Sequence, residues 1–199
     1  MMPLPVKKIL CSIFFIFMMA ALPSSLPSVS AATDRKPALP KTIDQNGCPL
    51  TLLKNKAYFH ALSEKIRDAR TQIVMAFFLF KTNGHPRSYP EILLRELGDA
   101  ARRGVRVIVV LEQDARKDST INRDNRNASE RLKKAGVEVY FDSPKKTMHT
   151  KLAVIDGRYT FIGSHNLTQS ALKHNHELSV LVDSPAVADK TLSYIKDLY

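Results

Sequence analysis

Residues 149–168 read HTKLAVIDGRYTFIGSHNLT. Two short apolar runs, 152–155 and 159–162, flank Asp156-Gly157, a dipeptide that favours the tight turn of a β-hairpin. Successive side chains of a strand point to opposite faces. His149, Lys151, Ala153 and Ile155 therefore share one face, and Leu152 and Val154 take the other. His149 and Lys151 project together from the start of the first strand. The return strand carries Gly163, Ser164 and Asn166 back to that end, and Gly163 permits close backbone approach. No apolar core needs an imidazole, an ammonium, a hydroxyl and a carboxamide at one strand end. The set does not suit a metal, but it suits a phosphate. An imidazole can attack phosphorus, while ammonium and carboxamide groups hold the non-bridging oxygens.

The flanking sequence builds a domain around this hairpin. Residues 72–80 (QIVMAFFLF) and 105–111 (VRVIVVL) are continuous apolar runs, as expected of strands buried on both faces. Residues 57–70 have helical composition. Pro90 suits the first turn of a second helix. Leu93, Leu97, Ala100 and Ala101 fall on one face of it, and Gly104 is its stop. Residues 112–126 are polar apart from Ala115 and Ile121, and the third helix is expected only over 127–135, closed by Gly136. Residues 137–141 read as a strand, Glu177 opens another (ELSVLV), and residues 185–198 read as a last helix. The expected fold class is α/β: a mixed sheet with helices on both faces.

The chain has 199 residues, 44% of them hydrophobic, which suffices for one ordinary domain with a core. Its net charge of +11 and pI of about 9.7 favour a polyanionic partner, either nucleic acid or an anionic membrane surface. Lys7 and Lys8, the apolar run 9–22 and the small residues Val29-Ser30-Ala31-Ala32 form the pattern of a secretory signal peptide over residues 1–32. The run falls short of the roughly 20 residues of a membrane helix; an uncleaved membrane anchor is the alternative. The expected destination is periplasmic or secreted. Residues 33–49 read as a linker or loosely docked arm, and 50–199 as a single catalytic domain. Cys11 leaves with the signal. Cys48 is then a lone thiol, free or bridging two chains. No Cys/His cluster has zinc-finger spacing.

Three spacings occur in order: H-x-K-x4-D at His149, Lys151 and Asp156; G-S-x-N at Gly163, Ser164 and Asn166; then Glu177. This stretch resembles the HKD motif of the phospholipase D superfamily, and the resemblance extends over residues 50–199. It implies a phosphodiesterase that needs no metal or cofactor and works through a covalent phosphohistidine. It assigns His149 as nucleophile, Lys151 and Asn166 as the phosphate-binding pair, and Ser164 as a supporting hydroxyl. Glu177 is implied to orient a motif histidine through its other ring nitrogen. Asp156 is the third letter of the motif, yet it falls at the turn, so it is expected to be structural.

Many members of that superfamily carry two motifs in one chain. Here His60, His85, His165, His174 and His176 all lack a lysine two places on, so the chain holds one half-site. It resembles the small single-motif bacterial endonucleases, which implies a homodimer with one shared active site. His174 and His176 are expected to be bystanders and His165 to line the pocket rim. Charge, size and single-motif architecture favour a nonspecific nuclease cutting DNA or RNA. A phospholipase D acting on lipid head groups is the alternative. A silent polyanion-binding module is a third reading, against which the intact set argues. Lys145 and Lys146, just before the motif, are candidate phosphate contacts.

Overall fold

The computed structural model describes residues 42–43 and 49–199. The signal-peptide reading, most of the linker reading and Cys48 lie outside the described residues. One eight-stranded sheet organises the rest, in the order β1-β2-β8-β7-β6-β3-β4-β5. Its strands are β1 (Thr42–Ile43), β2 (Pro49–Lys54), β3 (Gln72–Phe77), β4 (Arg106–Leu111), β5 (Glu138–Phe141), β6 (Lys151–Ile155), β7 (Tyr159–Gly163) and β8 (Leu178–Asp183). β3, β4 and β5 run parallel. β6 pairs antiparallel with β3, and the β6–β7–β8–β2–β1 series continues antiparallel. The mixed sheet of the sequence reading is therefore present.

The continuous apolar runs are explained by two cores, one on each face of the sheet. Ile73, Met75, Phe77, Val107, Val109 and Leu111 enter the larger core. It is covered by α1 (Lys56–Asp68), α2 (Tyr89–Arg102), α3 (Thr120–Lys134) and α4 (Gln169–Lys173). Val74, Ala76, Ile108, Val110 and Val154 enter the smaller one, under Ala188 and Ile195 of α5 (Pro185–Lys196). Leu52, Ile162 and Leu178 remain exposed on β2, β7 and β8.

Gly104 and Gly136 hold φ of 89° and 88°, where a Cβ is disfavoured, and the chain turns from α2 and α3 into β4 and β5 at these points. The third helix departs from expectation. It spans fifteen residues, α3, rather than the short segment 127–135. Its cap is Ser119, whose side chain accepts from the Ile121 N–H. Its first turns bury Asn122 and Asn125 instead of apolar residues, so no hydrophobic period announces them.

Candidate active site

The sheet register brings the motif together. Phe77 lies opposite Lys151, Leu152 opposite Ile162, and Gly163 opposite Ser179. The start of β6, the end of β7 and the start of β8 therefore meet at one end of the sheet, the end where parallel strands β3, β4 and β5 finish. Asp156 and Gly157 both have positive φ, 53° and 59°, giving the primed turn that reverses the hairpin at the other end.

His149 sits just outside β6, which begins at Lys151 rather than at the histidine. Two contacts fix its approach. The Phe78 N–H donates to the Thr150 carbonyl (3.0 Å), and the Met148 N–H donates to the Glu112 carboxylate (2.6 Å). The imidazole is exposed, and neither ring nitrogen has a hydrogen-bond partner among the described residues. Partial burial and the neighbouring Lys151 ammonium both hold its pKa below the ordinary imidazole value, which favours the neutral, nucleophilic form.

Lys151 is buried, 7% exposed, and its ammonium donates to the His149 carbonyl (2.9 Å). Burial lowers its pKa, while the negative charge of Glu177 opposes that shift. Phe78 joins the two motif residues. Its ring packs edge-on against the His149 ring, centroids 4.7 Å apart, and lies 5.1 Å from the Lys151 nitrogen. Sequence reading placed Phe78 inside a buried strand; β3 in fact ends at Phe77, which frees the next ring for the site.

Asn166 is anchored through its neighbour. Leu167 donates its N–H to the Leu79 carbonyl and accepts from the Lys81 N–H, both at 3.0 Å. The Asn166 carboxamide itself makes no hydrogen bond among the described residues, and its oxygen is buried. It is thus free to satisfy a ligand. Ser164 donates its hydroxyl to the Glu177 carboxylate and accepts from the Leu178 N–H (3.2 Å). Asn175 donates to the other Glu177 oxygen (3.2 Å). Within one chain, then, Glu177 pairs with Ser164 and Asn175 and makes no hydrogen bond to the His149 ring. The strand pairing sets Ser164 beside it, and the serine takes the carboxylate first.

Two further residues were misread or unseen. His165 does not line a rim: it is fully buried. Its Nε2 faces the Asn55 carbonyl (3.0 Å), which can only accept, so Nε2 carries the proton and Nδ1 accepts from the Ser179 hydroxyl (2.7 Å). Tyr58 stacks on the ring at 4.2 Å. Burial depresses the His165 pKa and keeps it neutral. Asn55, at φ 49°, clamps Glu177 by accepting from its N–H with the side chain and donating its own N–H to its carbonyl, both at 2.9 Å. Asn55 carried no sequence signal, because a positive φ is invisible until the chain is folded.

Asp156 stands at the far end of the hairpin. Its carboxylate accepts from the N–H groups of Thr71 (2.8 Å), Arg70 (3.0 Å) and Gln72 (3.2 Å) and from the Thr71 hydroxyl (2.9 Å). Burial alone would raise its pKa; these donors outweigh it and hold the carboxyl low. The residue ties the hairpin to the start of β3 and takes no part in the cluster around His149. His174 and His176 are exposed, on the segment between α4 and β8. Among the described residues, no three or more His, Cys, Asp or Glu side chains gather as metal ligands.

The α/β sheet thus ends in an imidazole with unengaged nitrogens, a buried ammonium and an unengaged carboxamide, groups that can together hold a phosphate. Comparison with known proteins agrees. Residues 62–199 match the family model described as cardiolipin synthase, PLD-like domain. Cardiolipin synthase A of Serratia proteamaculans is 29% identical over 140 residues, covering 70% of this chain and 26% of that protein. Mitochondrial cardiolipin hydrolase of Mus musculus is 30% identical over 140 residues, covering 69% of this chain and 56% of that protein. The chain thus spans about a quarter to just over half the length of these curated relatives. A solved phospholipase D family member, Nuc from Salmonella typhimurium, shares the fold with a TM-score of 0.62 at 23% identity, covering 75% of this chain and 93% of that one. The chain belongs to the phospholipase D-like family.

Proposed function

We propose that this protein is a metal-independent phosphodiesterase that cuts nucleic-acid backbones through a covalent phosphohistidine. The observation that carries the chemistry is an imidazole held neutral, with both nitrogens unengaged, beside a buried ammonium. A ring nitrogen of His149 attacks phosphorus. The N–P bond forms as the P–O bond to the leaving group breaks, and a general acid protonates the departing oxygen. Lys151 and the Asn166 carboxamide stabilise the non-bridging oxygens through both steps. Water then attacks phosphorus, giving its proton to the group that had protonated the leaving oxygen, and the N–P bond breaks, restoring His149. Ser164 and Asn175 hold Glu177 in place beside the lysine.

The leaving oxygen needs a proton donor on the side of phosphorus opposite the nucleophile. One chain supplies one motif histidine, and its own Glu177 makes no hydrogen bond to the His149 ring, while each Glu177 oxygen keeps a second lone pair beyond the bonds from Ser164 and Asn175. A second copy related by a two-fold axis would supply both missing groups: its His149 as general acid, and its Glu177 as the carboxylate for this chain's imidazole. Two-fold dimers are the commonest homo-oligomers. The exposed Leu178 and Ile162, flanking Glu177 and Ser164, give such a partner an apolar contact beside the site.

Substrate choice rests on charge and architecture. A net charge of +11, or +9 once residues 1–32 with Lys7 and Lys8 are removed, raises the local concentration of a polyanion, and the one motif in this chain resembles that of the small single-motif endonucleases. A second reading, hydrolysis of phospholipid head groups, is favoured by the names of the sequence relatives. Residues 1–32 serve as the export signal in either case; a mature N-terminus near residue 33 is the expected mass-spectrometric result. The deciding experiment incubates purified protein, in EDTA, with plasmid DNA, RNA, and phosphatidylcholine or cardiolipin vesicles in parallel. Consumption of nucleic acid at full rate under chelation is expected. Consumption of lipid alone selects the second reading, and activity only with added divalent ions overturns the mechanism.

A further inference from the structure

Because β3, β4 and β5 are parallel, the connections that follow β4 and β5 leave the sheet at the end where His149 stands. The connection after β5 carries Lys145 and Lys146, four and three residues before His149. The connection after β4 carries Lys117 and leads directly into α3. The two are tied together: the Gln113 N–H donates to the Asp142 carboxylate (3.1 Å), and the Glu112 carboxylate accepts from Met148. α3 lies on the sheet face toward which Lys151 points. The Asn125 carboxamide of α3 donates to the Phe78 and Glu112 carbonyls at 3.0 Å, which locks the helix to the residue packed on His149.

The outer side of α3 and the preceding connection form an open depression of about 410 Å³. Lys117, Arg123 and Arg126 line it together with the Asp118 and Glu130 carboxylates. Some cations at this end are spoken for: Arg116 pairs with Asp114 and Lys81 with Asp124, each at 3.0 Å. Lys117, Arg126, Lys145 and Lys146 are exposed, and their side chains have no ion pair or hydrogen bond among the described residues. Four exposed cations without protein partners among the described residues lie along α3 and the two linked connections that leave the sheet at the His149 end.

We infer that Lys145, Lys146, Lys117 and Arg126 form a track for the phosphates that flank the scissile one in a nucleic-acid strand. The inference rests on the nuclease reading and deepens it. A head group presents its phosphate locally, whereas a strand presents one phosphate after another and rewards cations placed away from the chemistry. The contacts are to backbone only, so the track confers affinity without sequence preference.

The test replaces all four residues by glutamine in the full chain, with circular dichroism as the check on folding. Three substrates are compared: bis(p-nitrophenyl) phosphate, which has no flanking phosphate to lose; a 30-nucleotide single strand; and cardiolipin vesicles. On the oligonucleotide, KM should rise more than tenfold while kcat stays within about threefold. The slope of log Kd against log salt should shrink by about 3, since each single-strand phosphate contact contributes roughly 0.7. The small diester reports the chemistry itself. If the wild type cuts the oligonucleotide and the variant shows the same KM and salt slope, the track is wrong and the nuclease reading stands. If the loss appears only on cardiolipin vesicles, the track serves a lipid surface and the inference is overturned. If the wild type hydrolyses the small diester but neither binds nor cuts nucleic acid, the nuclease reading fails and takes the track with it.

Discussion

Gly163 and Ser179 face each other across β7 and β8 so closely that a Cβ on residue 163 would lie 2.0 Å from the Ser179 Oγ and 2.4 Å from its Cβ. What approaches the motif glycine is therefore the neighbouring strand. That same hydroxyl donates to His165, so glycine, serine and buried histidine form one packed unit behind the site. Gly163→Ala should destabilise the protein by about 1–3 kcal/mol, the usual cost of overpacking. Urea melts of the two proteins measure it; equal midpoints would show that Ser179 moves aside freely.

The two ends of the hairpin should separate stability from chemistry. Asp156→Ala strips the acceptor from three backbone N–H groups, and a loss of about 1–3 kcal/mol is expected. The protein that remains folded should keep its kcat within severalfold. His149→Ala, at an exposed position, should melt like the wild type and show no turnover. Paired thermal melts and kcat values check both. Loss of kcat in folded Asp156→Ala would place that carboxylate in the chemistry after all.

Stability should also carry the signature of Glu112. The residue is 2% exposed at the end of β4, and burial pushes its carboxyl up to about 6, with Asp142 and Asp114 adding to the shift against the Met148 N–H. Burial raises the pKa of Asp142 as well. A carboxyl whose folded pKa is raised binds its proton more tightly when folded. Its contribution is full below the unfolded pKa near 4.5 and is lost as pH rises through 6, about 2 kcal/mol over that range. Glu112→Gln keeps an acceptor for Met148 and a donor for Asp142 but cannot ionise. Melting temperatures taken between pH 4.5 and 7.5 should therefore fall less with pH in the variant than in the wild type; parallel curves would contradict this.

If two copies share one site, mixed dimers of wild-type and His149→Ala subunits have no complete site. After subunit exchange, activity should fall as the square of the wild-type fraction. Exchange is confirmed by native mass spectrometry, and activity is titrated against composition. Strict proportionality despite exchange, or a fully active monomer, would sink the shared site.

The hairpin was legible because its chemistry and its period coincide. Asp156-Gly157 fixes the turn, and alternation then dictates which residues meet at the far end. The apolar runs of β3 and β4 were equally plain, since burial on both faces leaves no polar letter. α3 was half hidden: Asn122 and Asn125 are buried to hydrogen-bond main-chain groups, and a pattern of apolar spacing cannot register buried amides. His165 was misplaced for a related reason. Flanked by Ser164 and Asn166 it looked like part of a polar pocket, yet strand alternation continues through it and turns its ring inward to Ser179 and Tyr58. Glu177 was read as opening a strand, and β8 begins one residue later at Leu178; its partner depends on the β7–β8 register, which one strand's letters do not contain.

The central claim is that His149 itself bonds to phosphorus. The direct measurement is a rapid denaturing quench at alkaline pH, where phosphohistidine survives, during turnover of a diester labelled at the phosphate, followed by peptide mapping. The account predicts label on the peptide containing His149, absent from His149→Ala and undiminished by EDTA. Label on another residue, or steady turnover with no protein-bound phosphate in a quench faster than one catalytic cycle, would contradict it.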